Sequence, residues 1–138
     1  MSNNLVEYFE NKLHTQPKKV DNSNIFYREI VVLVGYGQNI DFIRNQLWKL
    51  CQGYKSKLGL DYWFNDSTKI FAIVKRDKEK ICMTRVYIRM TDEIGLTGFR
   101  PDVIVAYGSF LAEQVRVMLE FIQKSSYKAD LEVRFFNR

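Results

Sequence analysis

The chain has 138 residues, 46% hydrophobic and 27% charged, which suits one globular domain burying roughly two-thirds of its unfolded surface and argues against disorder. Lys and Arg outnumber Asp and Glu by 21 to 16, and the net charge of +5 permits contact with nucleic acid without establishing it. The longest apolar runs, IVVLV and VIVAY, are too short to span a bilayer, and the polar start MSNNLVEYFENKL lacks the basic and apolar regions of a secretory leader.

Residues 3 to 13 predict a short helix capped by Ser2 or Asn3, with Leu5, Phe9 and Leu13 on one face. The polar stretch HTQPKKVDNSN, residues 14 to 24, reads as a linker, so the first helix is a candidate docking or swapped arm. FYREIVVLVG has the β-branched apolar run of a buried central strand. A helix follows, with Ile40, Ile43, Leu47, Leu50 and Tyr54 sharing a face and Gly53 as its expected end. STKIFAIVKRDKEKICMTRVYIRM predicts two strands joined by the turn RDKEK. In the second of these, period two puts Cys82, Thr84, Val86, Ile88 and Met90 on one face, and Ile81, Met83, Arg85, Tyr87 and Arg89 on the other. TDEIGLTGFRPD is a loop and VIVAY a second buried strand. A helix then turns Leu111, Val115, Met118 and Ile122 inward, with Ser109 as a possible cap, and ADLEVRFF closes the chain as a strand.

The sum is α–β–α–β–β–β–α–β. It predicts an α/β fold with a mixed, mostly parallel sheet, an antiparallel hairpin in its middle and an N-terminal helical arm. The expected organisation is a helix and linker over residues 1–24 and a single α/β domain over 25–138. Cys51 and Cys82 provide neither a disulfide framework nor metal-ligand spacing, so buried free thiols in a reducing, cytoplasmic compartment are expected.

Chemistry-bearing patterns are sparse. GYGQNID (35–41) follows a buried strand and opens a helix, where α/β proteins hold phosphate. However, Gly35 and Gly37 make half a dinucleotide fingerprint, a phosphate-loop lysine and hydroxyl are missing, and Asp41 would repel an anion. The competing expectation is a tight turn. Asp92, Glu93 and Asp102 are the loop carboxylates available to a metal or to acid–base chemistry. Pro101-Asp102 invites comparison with nucleases that add a later Glu-x-Lys, but only LEVR occurs downstream, beyond an intervening helix. Asp102 is then a turn former or an ion-pair partner of Arg100. The lone histidine, His14, supports neither a nucleophile nor a histidine metal site. No catalytic, cofactor-binding or metal-binding residue is assigned.

Basic and aromatic positions are the better candidates. Arg85, Tyr87 and Arg89 share a strand face, Arg76, Lys78 and Lys80 occupy the adjoining turn, and Arg100 precedes the next strand. Arginines interleaved with aromatics on a sheet can cradle phosphates and stack bases; the alternative is a solvated face, since Arg and Lys stems also cover apolar surface.

Residues 30 to 124 resemble, in order and in two motifs, the ATPase core of helicases and viral DNA-packaging terminases. NDSTKI (Asn65–Ile70) resembles an Asn-x-Ser-x-Ile-containing strand, and GFRPD (Gly98–Asp102) the turn before the acidic metal-binding strand. The resemblance implies an ATPase-type scaffold. The departures, no phosphate-loop lysine or hydroxyl at 35–41 and Ala106–Tyr107 where the acidic pair would stand, imply that hydrolysis is lost while a nucleic-acid or motor partner can be kept. The expected function is a non-catalytic binding module, a phage or mobile-element accessory engaging DNA, RNA, or a motor, nuclease or other host or viral protein, without a membrane. A small nucleotide- or phosphate-binding enzyme and a homo-oligomeric or host-protein-binding module assembled through the N-terminal helix are the alternatives.

Overall fold

The computed structural model describes residues 4–94, 99–128 and 130–136. Helix α1, Leu5–Leu13, is capped by Asn4, whose Oδ1 accepts from the amides of Val6 and Glu7. The cap is therefore one position later than expected; Ser2 and Asn3 lie outside the described residues. Leu5, Phe9 and Leu13 are buried in the main core, so the apolar stripe of α1 is used within the chain. Within the stretch expected to be a linker, Lys18–Lys19 form a two-residue strand, β1, antiparallel to Phe26 and Tyr27.

Strand β2, Ile25–Val34, is the central strand, and its residues from Ile30 to Val34 are fully buried. Helix α2, Ile40–Leu58, runs through Gly53 and stops at Gly59, which sits at φ +64 in the left-handed region. A glycine inside a helix costs about 1 kcal/mol, less than the burial of Ile43, Leu47 and Cys51 returns, so Gly53 does not end it. A strand not expected from the sequence follows: β3, Leu60–Asn65. Then come β4, Ile70–Asp77, and β5, Lys80–Met90, joined by a tight turn with Lys78 at φ +60. Thr91–Glu93 form a 3-10 turn, and Gly98 of the GFRPD turn lies outside the described residues.

Strand β6, Val103–Tyr107, is buried throughout. Helix α3, Ala112–Ser125, begins at Leu111, whose amide donates to Gln114 Oε1. Ser109 does not cap it, because the helix starts at Ala112 with Leu111 in the cap position, two residues beyond Ser109. Leu111 is half exposed rather than inward, and Phe121 joins Met118 in the core. Strand β7, Glu132–Phe136, ends the described chain.

The sheet order is β3-β4-β5-β2-β6-β7, a mixed α/β sheet as expected. Pairs β5–β2, β2–β6 and β6–β7 are parallel, and β3–β4 and β4–β5 are antiparallel. Alternate residues of the strands face α1 and α2 on one side, where Ile30, Val32, Phe71, Ile73, Val86 and Ile88 meet the helices. On the other side Val31, Leu33, Ile104 and Ala106 meet α3. Because α3 follows β6, it covers only the parallel half of that side.

Candidate nucleic-acid interface

In open α/β sheets the carboxyl ends of the parallel strands are the usual ligand position. Here the turns after β2 and β6 close on each other. The amide of Gly35 donates to Tyr107 O and that of Tyr36 to Ser109 O, both at 2.9 Å, and Gln38 N donates to Gly35 O. At the start of α2, Asp41 N is taken by Asn39 Oδ1 and Phe42 N by Asn39 O. A Cβ added at Gly35 would stand 2.3 Å from Ser109 O, so no gap separates the turns. The amides of Gly35, Tyr36, Gln38, Asp41 and Phe42 are thus paired internally and not turned to a phosphate, and Gly37 at φ +77 makes this a tight turn. Ala106 and Tyr107 are buried, and Phe42 stacks on Tyr107 at 6.0 Å.

The segment before β6 is fastened to β2 through Glu29. Its carboxylate accepts from Tyr27 OH and the Arg100 amide, while its backbone amide and carbonyl pair with Asp102 Oδ2 and Asp102 N. Asp102 makes its ion pair with Lys128 at 3.0 Å, not with Arg100, and Lys128 also donates to Arg100 O. Among the described residues no group of three His, Cys, Asp or Glu is arranged to hold a metal.

On the α3 side, the half of the sheet formed by β3, β4 and β5 is not covered by any described helix. One row across it runs Trp63, Ala72, Arg85, Glu29, and the next runs Asn65, Ile70, Tyr87, Val31. Trp63 is 48% exposed. Small Ala72, between Trp63 and Arg85 in that row, is buried, as is Val74 on the same face, so the side chains around them close over this part of the sheet. Arg85 is exposed, its guanidinium 5.7 Å from the Tyr27 ring, and it makes no salt bridge among the described residues. Burial, and then the Glu29 carboxylate, hold the Tyr27 phenol above its ordinary pKa, so it stays a neutral donor.

Arg85, Tyr87 and Arg89 lie on one face, as period two requires. Arg89 is half-buried: it donates to Lys69 O and Ile88 O, sits 5.6 Å from the Tyr87 ring and 5.5 Å from the Phe99 ring, and burial lowers its pKa. Tyr87 packs edge-on against Phe99. Arg76 shares the face and is paired with Asp61 at 2.5 Å. Arg100 is exposed next to Glu29, the register partner of Arg85. Lys78 stands at the hairpin tip. Lys80 belongs to the opposite face, over Phe26, and is separated from the rest. Trp63 was hidden to sequence reasoning because β3 was; the alternation Leu60, Tyr62, Phe64 against Asp61, Trp63, Asn65 after Gly59 is the signal that reveals it.

No family model matches the sequence, and no curated protein matches it. The fold is similar to solved phage proteins. The ATPase domain of the Thermus phage P74-26 large terminase superposes with a TM-score of 0.57 at 10% identity, over 79% of this chain and 47% of that one. The large terminase of a thermophilic bacteriophage, solved in complex with ADP, gives 0.52 at 15% identity, over 81% of this chain and 26% of that one. The chain therefore spans about half of the first and a quarter of the second, and what they share with it is the α/β fold of a terminase ATPase domain. No described helix is long and apolar enough to cross a membrane.

Proposed function

We propose that the chain is a non-catalytic phage or mobile-element module that binds nucleic acid through the uncovered face of β3, β4 and β5. The observation that carries this reading is the row Trp63, Ala72, Arg85: an exposed indole and an exposed guanidinium with no salt bridge among the described residues, two strands apart on one sheet face. A base stacked on an aromatic is worth about 1–3 kcal/mol, and a neighbouring Arg answers the adjoining phosphate. Tyr87 lies in the adjoining row and Arg100 beside Glu29 at the row's end; Arg76 and Arg89 share the face two rows away on either side, Lys78 stands at the hairpin tip, and Lys80 is on the opposite face. Loss of hydrolysis agrees with the internally paired amides of Gly35, Tyr36 and Gln38 and with Ala106 and Tyr107 in packing roles. Similarity to phage packaging motors supports a setting among nucleic-acid-handling proteins.

Filter binding of single-stranded DNA and RNA across a salt series tests the proposal. Affinity falls with salt, and Arg85→Ala weakens it and reduces the salt slope by about 0.7. Absence of binding at low salt, or an unchanged slope in that variant, removes it. A nucleotide-binding reading draws on the ADP complex of the second phage protein. It requires a magnesium-nucleotide to raise the stability by about 2.7 kcal/mol at 100 times its dissociation constant.

A further inference from the structure

The main core contains an opening that close packing does not explain. Beneath α1 and the segment after it lies a cavity of about 200 Å³, bounded by α2 and by the β4–β5 hairpin. Strand register sets its depth. The pair Asp77–Lys80 stands at the mouth, Lys75–Cys82 comes next, Ile73–Thr84 follows, and Val86 with Phe9 and Leu47 forms the floor. Gln16 and Pro17 face the hairpin across the entrance. Along the hairpin polarity thus falls from a charged rim to an apolar end within three residue pairs, while Lys12, His14 and Thr15 also line the cavity.

Charge is also unbalanced at the rim. Lys12 is committed to Glu132 at 2.8 Å. Lys75 and Lys80 make no salt bridge among the described residues, and Asp77 offsets one of them, leaving a local charge of +1. An apolar cavity near 150 Å³ accommodates a benzene-sized molecule, so this volume admits that body and a small head group. The cavity lies beside the first residues of β2, since Ile81 and Cys82 pair with Ile25 and Phe26. It is at the opposite end of the sheet from the 35–39 turn and on the opposite face from Trp63.

We infer that this cavity is a binding site for a small monocarboxylate with an apolar body, of the size of benzoate or hexanoate, its carboxylate between Lys75 and Lys80 and its body against Ile73, Val86 and Phe9. A monoanion matches the rim's single excess charge, and the apolar floor rejects a fully polar anion such as inorganic phosphate. Because the roof is α1, occupancy also fastens the N-terminal helix to the sheet.

Calorimetric titration of the full chain with benzoate, hexanoate, benzamide and inorganic phosphate tests this. Benzoate and hexanoate bind saturably with a Kd of about 1 mM or tighter, and benzamide and phosphate bind at least about tenfold more weakly. Lys75→Met with Lys80→Met removes that preference for benzoate over benzamide. Benzoate slows alkylation of Cys82, which lines the cavity, in the unaltered protein. Equal affinity for benzoate and benzamide, no saturable binding of either carboxylate, or unchanged Cys82 alkylation at saturating benzoate overturns the inference. The last two readouts need no variant, so a misfolded double substitution does not leave the question open.

Discussion

Glu132 joins the N-terminal helix to the far edge of the sheet, and its ionisation predicts how stability depends on pH. Its carboxylate accepts from Lys12 at 2.8 Å, Tyr8 OH at 2.7 Å and Arg134 at 3.0 Å. Burial alone would raise its pKa; the three donors overcome that and pull it down to about 2 from 4.5. A depression of that size corresponds to about 3 kcal/mol at most. With the side chain 29% exposed, solvent screening brings the expectation to about 1–2 kcal/mol. Since the folded-state pKa is depressed, this stability is present above the unfolded value and is lost as pH falls towards about 2. Glu132→Gln should therefore lose about 1–2 kcal/mol by urea unfolding at about pH 7, with the difference from the parent shrinking clearly by about pH 3. The same loss at both pH values, or no loss at about pH 7, refutes the electrostatic account of this junction.

Arg28 is buried at the end of α1, donating to Lys12 O, Thr15 O and Thr15 Oγ1, and burial lowers its pKa. Arg28→Met removes the donor to Thr15 O, while Lys12 O keeps the Thr15 amide and hydroxyl, and should cost about 2 kcal/mol, with faster amide exchange concentrated in α1; protection that is uniform along the chain contradicts the clamp. Gly35→Ala should lose more than about 2 kcal/mol because its Cβ meets backbone, whereas Gly37→Ala, with open space and only φ +77 to oppose it, should lose about 1 kcal/mol by thermal unfolding. Cys51 is fully buried and its thiol is pushed up to about 12, so native alkylation should spare it until the chain unfolds.

The sequence made the buried parallel strands plain, because Ile30–Val34 of β2 and Val103–Tyr107 of β6 are uninterrupted apolar runs covered on both faces. The same periodicity revealed the inward side of α2 and the Arg85, Tyr87, Arg89 face. It missed β1, which has two residues and hence no period, and β3, an edge strand whose solvent side carries Asp61, Trp63 and Asn65. Gly53 misled because its local propensity cost is small beside the burial of Ile43, Leu47 and Cys51. Asp102 was given the nearby Arg100 as partner, yet Lys128 reaches it through the β6–α3 return, a proximity that only the tertiary structure creates. Lys80 was grouped with the basic cluster by closeness in sequence, although strand parity puts it on the opposite face from Arg85.

The uncovered sheet face is tested most directly by the emission of Trp63. The chain has two tryptophans, so Trp48→Phe leaves Trp63 as the sole indole reporter. Titrating that variant with a short oligothymidylate at low salt should quench and shift its emission, saturably and with a midpoint that moves to higher concentration as salt is added. Binding that leaves the Trp63 emission unchanged, or no binding at all, contradicts the account.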